Sequence, residues 1–436
     1  MLFAGAVGTD TAMPSAIPLV SGGGRRHSST TATTALIVAA ILLGITVPVV
    51  VSGAARAAAG FPTPRFVARW SPLFMETDKV DHQLTTAEAK QIASRFDVIV
   101  AQAGFFDPDQ FSGMRSANPR MRLLVYVDGM LSDNDPGGTL WPNAWYAHDS
   151  NGNKITTRQP GDHYLMNPAN TGWGGKITND CSDGVAMGYD GCFLDSMGLA
   201  PFSTSYATGR PINPSTGQVW TEHAWLNATD AVGQRVNNAL GTALVVLNGL
   251  GAGWRYQNDP AATSALLKGV DGAMAELFVR APHEAIQARR SETMWKYDVD
   301  MLVDAGMRGK SLVVTTKTWT TSTQPQRDTV HKYALATFLL GTNGKSFFSF
   351  VESDDYDSAI ADSAYDRVNV GTPRSPYAKV DGLYRRNFTN GVAVVNPTSS
   401  PASTVLDGFY TDLAGNVHSG NTFVAPGTGD VFTPVN

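Results

Sequence analysis

Two carboxylates stand where acetal chemistry needs them. Asp195 closes the apolar run Cys192-Phe193-Leu194, which opens from the turn Gly188-Tyr189-Asp190-Gly191, and Glu276 closes Gly272-Ala273-Met274-Ala275 with no other acid inside that run. Hydrolysis of an acetal asks for such a pair: one group protonates the leaving oxygen while the other attacks carbon or activates water. Taken singly, Asp195 reads equally well as a helix N-cap and Glu276 as an ion-pair partner of Arg280. Together, each at the end of its own apolar run, they read as a catalytic pair.

Other polar residues end similar runs. Asp128 closes Tyr126-Val127-Asp128 and Asn248 closes Leu247-Asn248; both are candidates for holding a sugar hydroxyl, with Tyr126 beside them. Asp128-Gly129 and Asn248-Gly249 also read as plain turns. Lys317 and Glu352 are read as rim residues, Glu352 within a solvated acidic loop. Sugar rings present C–H faces that stack on aromatic rings, so Trp70, ending the first run, and Trp145, in a long loop, join the substrate-binding candidates. Core packing is the alternative for any one tryptophan.

What must position these residues is a set of repeated strand–helix units. Short apolar, β-branched runs fall at residues 65–70, 97–102, 122–128, 190–195, 243–248, 272–278, 311–318 and 346–351. Helical stretches are expected between them at 86–96, 221–239, 260–267, 282–305 and 324–340. Eight strands with crossovers fit one closed (β/α)₈ barrel, an α/β fold, better than an open sheet, and the active site of such a barrel lies at the C-terminal ends of its strands. The segment 131–171 is too long and too rich in Gly, Asn and Asp for a simple connection, and is expected to build the substrate site. From about residue 375 the texture changes to short alternating strands with Gly and Pro turns, which predicts a small antiparallel β-sandwich-like domain. The expected organisation is therefore an export segment over 1–59, a catalytic barrel over 60–374 and a β domain over 375–436.

Composition narrows the partners. The 436 residues carry a formal net charge of −5 with no basic patch, which excludes a nucleic-acid ligand. Arg25-Arg26, the apolar stretch 35–51 and Ala57-Ala58-Ala59 have the order of an export signal, so the protein is expected to be secreted, with a membrane contact only if that segment is kept as an anchor. Cys181 and Cys192 are the only cysteines, and in an oxidising compartment they read as one disulfide. The histidines show no ligand spacing, and neither a phosphate-cradling glycine loop nor a G-x-S-x-G nucleophile appears, so no metal and no cofactor are expected.

The segments Tyr189-Asp190-Gly191-Cys192-Phe193-Leu194-Asp195, Leu247-Asn248-Gly249, Ala275-Glu276 and Tyr333-Ala334-Leu335-Ala336-Thr337-Phe338-Leu339-Leu340-Gly341 resemble hypothetical glycosyl hydrolase family 15. More distantly they are similar to the endo-α-1,4-polygalactosaminidases of glycoside hydrolase family 114. The likeness runs from about residue 65 to the C-terminus, where Asn387-Phe388-Thr389-Asn390-Gly391-Val392-Ala393-Val394-Val395-Asn396-Pro397-Thr398 resembles the small β domain behind many glycosidase barrels. The resemblance implies a catalytic pair formed by the fourth-strand Asp and a later strand-end Glu, which are Asp195 and Glu276 here. The function expected is hydrolysis of O-glycosidic bonds in a polysaccharide. The alternative is a glycan-binding envelope protein that keeps the barrel without turnover.

Overall fold

A computed structural model describes residues 65–73, 84–132, 135–158, 163–353 and 361–435. The expected export segment lies outside them. Among the described residues no helix is long and apolar enough to cross a membrane.

Eight parallel strands form one sheet: β1 (Trp70–Leu73), β2 (Val98–Gln102), β3 (Arg122–Asp128), β6 (Gly191–Asp195), β7 (Leu244–Asn248), β8 (Gly272–Ala275), β9 (Ser311–Lys317) and β10 (Phe347–Val351). A parallel bridge between Arg69 and Phe348 joins its two ends, with the Phe348 amide donating to the Ala68 carbonyl at 2.8 Å. The sheet is thus a barrel of the (β/α)₈ kind. Its strands are buried on both faces, which is why they read as unbroken apolar runs rather than alternating ones. Inward-facing Ala68, Val98, Val100, Leu124, Phe193, Val246, Met274 and Val313 fill the lumen, and the outer faces pack on the helices.

The helices are α1 (Thr86–Arg95), α2 (Pro108–Ala117), α3 (Thr171–Met187), α4 (Glu222–Leu240), α5 (Gly253–Asn258), α6 (Pro260–Lys268), α7 (Glu292–Met307) and α8 (Gln324–Gly341). Several starts are set by local chemistry: Thr85 with Glu88 and Asp107 with Gln110 form capping boxes, each satisfying two backbone donors. Helix α7 begins ten residues later than the periodicity of 282–305 suggests. Ser291 caps it, while the guanidinium groups of Arg280, Arg289 and Arg290 take up carbonyls of the preceding loop. Helix α3 has no counterpart among the expected helices, because the six glycines, asparagines and aspartates over 174–184 weaken any propensity signal. Tertiary packing overrides that weakness: Trp173, Ile177, Cys181 and Gly184 are buried, Asn170 caps the start and left-handed Gly188 ends it.

Cys181 on α3 and Cys192 on β6 are joined in a disulfide with Cα atoms 5.4 Å apart. It anchors the strand that ends in Asp195. After β3 the chain does not wander. β4 (Leu131–Ser132) pairs with β5 (Tyr164–Leu165), and the Asp135 carboxylate gathers the Thr139 and Leu140 amides with the Ser132 and Tyr146 hydroxyls.

Beyond the barrel, β11 (Ala378–Val380), β12 (Leu383–Phe388), β13 (Gly391–Asn396), β14 (Ala402–Thr411), β15 (Val417–Val424) and β16 (Thr428–Pro434) form an antiparallel sheet in the order β11-β12-β13-β16-β14-β15. The two strands expected at 403–406 and 408–411 are one strand with a bulge between Leu406 and Phe409. Leu383, Val392, Val394, Leu406, Val424 and Phe432 make a small core of its own. The opposite face packs on α8, where Arg386 donates to the carbonyls of Leu339, Leu340 and Thr342 at the helix end.

Candidate active site

Asp195 and Asp128 are register partners at the ends of adjacent strands, and Asn248 ends the next strand round. Glu276 follows β8 directly and Lys317 ends β9. The barrel therefore brings the ends of five strands to one mouth, as its parallel topology requires.

Asp195 receives three donors. Its Oδ1 accepts from its neighbour's amide, Ser196 N–H, at 2.7 Å and from Asn248 Nδ2 at 2.8 Å, and its Oδ2 accepts from the Tyr126 hydroxyl at 2.9 Å. Asn248 Nδ2 also donates to Glu276 Oε2 at 3.2 Å. The facing oxygens of Asp195 and Glu276 can lie no more than about 6 Å apart, and roughly 5 Å if each takes one amide hydrogen. The other Glu276 oxygen, Oε1, is ion-paired with Lys317. Lys317 is 6% exposed and its ammonium lies 4.5 Å from the centre of the Trp319 ring.

Burial, and after it the facing Glu276 charge, holds the Asp195 carboxyl above the usual carboxylate range, against the opposite pull of the Ser196, Tyr126 and Asn248 donors. The arrangement is two carboxylates, one cation and a shared amide donor: a proton can be carried at one side while the other side attacks. Among the described residues no group of three or more His, Cys, Asp or Glu side chains is placed to hold a metal ion.

The structure sorts the sequence candidates. Asp195, Glu276, Asn248 and Tyr126 come together, Tyr126 as a donor to Asp195. Asp195 caps no helix, and Glu276 pairs with Lys317 rather than Arg280. Asp128 sits beside them but serves its own turn: Oδ1 accepts from the amides of Met130 at 3.2 Å and Leu131 at 2.9 Å, and Oδ2 from the Ser196 hydroxyl at 3.2 Å.

Trp70 is misplaced by the sequence reading. It opens β1 instead of closing a strand, is 0% exposed, stacks on Phe193 at 6.4 Å inside the barrel and donates its indole N–H to Val314 O at 3.3 Å. No sugar reaches it there. Trp145 lies half-buried in a tryptophan cluster, stacked on Trp141 at 5.4 Å and edge-on to Trp173. A Cβ on Gly172 would fall 2.5 Å from its ring, so this indole is pressed against the start of α3.

Lys317, read from the sequence as a rim residue, is instead buried and ion-paired with Glu276. The available signal was its place at the end of the β-branched run Val313-Val314-Thr315-Thr316, where a buried lysine must find a partner.

With that geometry in hand, the family becomes decisive. The sequence pattern of hypothetical glycosyl hydrolase family 15 matches residues 115–392, which takes in β3 through β12, the start of β13 and every residue of the site. The chain belongs to this family of glycosyl hydrolases. No match is found among curated proteins. Among solved structures the chain is similar to the glycoside hydrolase domain of PelA from Pseudomonas aeruginosa, at 14% identity over 66% of this chain and 96% of that one, with a TM-score of 0.42. It is similar to Aspergillus fumigatus Ega3 in complex with galactosamine, at 13% identity over 68% and 96%, with a TM-score of 0.39. It is similar also to Eubacterium rectale Amy13B, at 11% identity over 87% and 98%, with a TM-score of 0.47.

Proposed function

We propose that the protein is an exported hydrolase that cleaves O-glycosidic bonds of a polysaccharide with Asp195 as nucleophile and Glu276 as proton donor and acceptor. The observation that carries this reading is the single amide nitrogen of Asn248 bridging the two carboxylates. Retaining glycosidases hold their carboxyl groups about 5–5.5 Å apart, whereas inverting ones leave about 6.5–9.5 Å for a water. A bridge through one nitrogen favours the short spacing and therefore retention.

In the proposed sequence the coupled pair holds one proton; with substrate bound it passes from Asp195 to Glu276, which gives it to the glycosidic oxygen as the glycosidic C–O bond breaks and the ionised Asp195 oxygen bonds to the anomeric carbon. Water then attacks that carbon, Glu276 takes the water's proton, and the Asp195 ester breaks. Three donors aimed at Asp195 suit a carboxylate that must be ionised and fixed in direction before attack. Export is supported by the order of charged, apolar and small residues over 25–59, and by a disulfide suited to an oxidising compartment.

The test is release of reducing ends from a panel of bacterial and plant polysaccharides by protein lacking residues 1–59, with Asp195→Asn and Glu276→Gln alongside. Both substitutions should lower turnover by orders of magnitude. On an aryl glycoside, whose leaving group departs without a proton, azide should restore turnover to Glu276→Gln with the glycosyl azide keeping the anomeric configuration, whereas any glycosyl azide formed by Asp195→Asn should be inverted. Active variants would refute the site, and glycan binding by an inactive wild type would replace the enzyme with the non-catalytic reading.

A further inference from the structure

Helix α7 carries a carboxylate that the catalytic reading does not use. Asp298 is 0% exposed, and its partners lie in the segments that follow β7 and β8. Its Oδ1 accepts from the Gly253 amide at 2.7 Å, in the segment that follows Asn248. Its Oδ2 accepts from the Val279 amide at 3.2 Å, three residues beyond Glu276, and from the Arg290 guanidinium. Arg290 in turn donates to the carbonyl of Leu277, the residue next to Glu276, at 2.6 Å. The two loops also bond each other, Leu277 N–H to Gly251 O at 2.8 Å.

Two local features show that this convergence is imposed by tertiary structure. Val279 has φ +58°, a left-handed backbone that a β-branched residue adopts only when its surroundings hold it there. Gly253 approaches α7 so closely that a Cβ would lie 2.3 Å from the backbone of Tyr297 and Asp298. Only glycine lets the amide reach Asp298.

We propose that Asp298, acting with Arg290, is a positioning residue that sets the distance between Glu276 and the Asn248–Asp195 side of the pair. It touches neither carboxylate. It fixes the backbone on both flanks, so that the Asn248 amide can reach Asp195 and Glu276 together. The inference rests on the paired-carboxylate reading above.

The experiment follows the titration of Asp195 by carboxyl-carbon NMR in the exported protein labelled at aspartate, the resonance being assigned by its loss in Asp195→Asn. Because Glu276 is one of the groups that lifts the Asp195 proton, letting Glu276 drift away should lower the Asp195 midpoint. Asp298→Asn is the direct variant. Arg290→Lys keeps a cation on Asp298 but cannot also clamp Leu277 O, and serves if the first does not fold. Leu302→Ala, a buried α7 residue with no bond to either loop, is the stability control.

Lower midpoints in Asp298→Asn or Arg290→Lys, with Leu302→Ala unchanged, support the proposal, and kcat on any hydrolysed glycan should fall at least tenfold with KM within about twofold. A folded Asp298→Asn or Arg290→Lys that titrates as wild type overturns it. So does Leu302→Ala moving the midpoint equally, since the effect would then be general loosening. A wild-type Asp195 midpoint in the ordinary carboxylate range sinks instead the coupled pair itself, a separate failure read before any variant is made.

Discussion

Replacing Tyr126 by phenylalanine removes the hydroxyl that donates to Asp195. The tyrosine ring stacks on Phe193 at 6.3 Å inside the barrel, and phenylalanine keeps that contact; the only group lost is the hydroxyl that donates to Asp195 at 2.9 Å. A hydrogen bond to a charged acceptor contributes about 1.5–3 kcal/mol. If that stabilisation belongs to the ionised Asp195 that attacks, kcat/KM should fall by about 10- to 150-fold. The sign with pH follows from the same bond. The Tyr126 hydroxyl pulls the Asp195 proton down, against burial and the Glu276 charge, so its loss lets the carboxyl rise further. In the proposed mechanism Asp195 attacks in its ionised form, so the acidic limb of the kcat/KM profile should move to higher pH. The assay is that profile for wild type and Tyr126→Phe on a hydrolysed glycan, with near-ultraviolet circular dichroism confirming an unchanged core. An acidic limb that stays in place would refute the reasoning, because Asp195 would then not be the group whose ionisation the limb reports.

Two further outcomes concern stability. Asp195 has its folded-state proton affinity raised above the unfolded value, so stability is lost as pH climbs from the ordinary carboxylate range, near about 4, through the raised one. Asp195→Asn should therefore melt higher than wild type at neutral pH and lose that advantage below about pH 4; melts that run parallel at every pH would contradict the raised affinity. The disulfide between Cys181 and Cys192 spans a sequence separation of 11, and replacing both cysteines by serine should lower unfolding stability by about 3 kcal/mol in guanidinium titrations. Unaltered midpoints would mean that packing of α3 on β6 alone holds the strand.

Much of the barrel was legible from the chain because a strand buried on both faces has a signature that needs no partner to recognise. Seven of the eight apolar runs coincide with barrel strands to within a few residues, and the polar residues that end them reach one mouth. The exceptions have local causes. The first run, read over 65–70, is followed by Ser71-Pro72, which looks like a strand end, yet the strand begins at Trp70 and continues through the proline. A shift of that size exchanges the mouth of the barrel for its floor, and it carried Trp70 from a sugar platform to the core. Helix α3 was hidden by glycine, and α7 was overextended because arginines binding loop carbonyls leave no trace in periodicity.

By itself the sequence determined what depends on neighbours along the chain: the alternation of strand and helix, hence a parallel barrel, and the ends of β6, β7 and β8 where Asp195, Asn248 and Glu276 stand. The tertiary structure alone decided which side chains meet. Tyr126 reaches Asp195 across 69 residues, Asn248 reaches it across 53, and Lys317 finds Glu276 across 41. Such contacts are set by strand register, barrel closure and the direction in which each pleat turns its side chains, and those quantities exist only when the sheet is closed. The same holds for Asp298, which in the sequence is one more acid on an amphipathic helix. Folding buries it beneath two loops, where its only available partners are the amides and the guanidinium that frame Glu276, because a buried carboxylate has to be satisfied by whatever donors the fold brings to it.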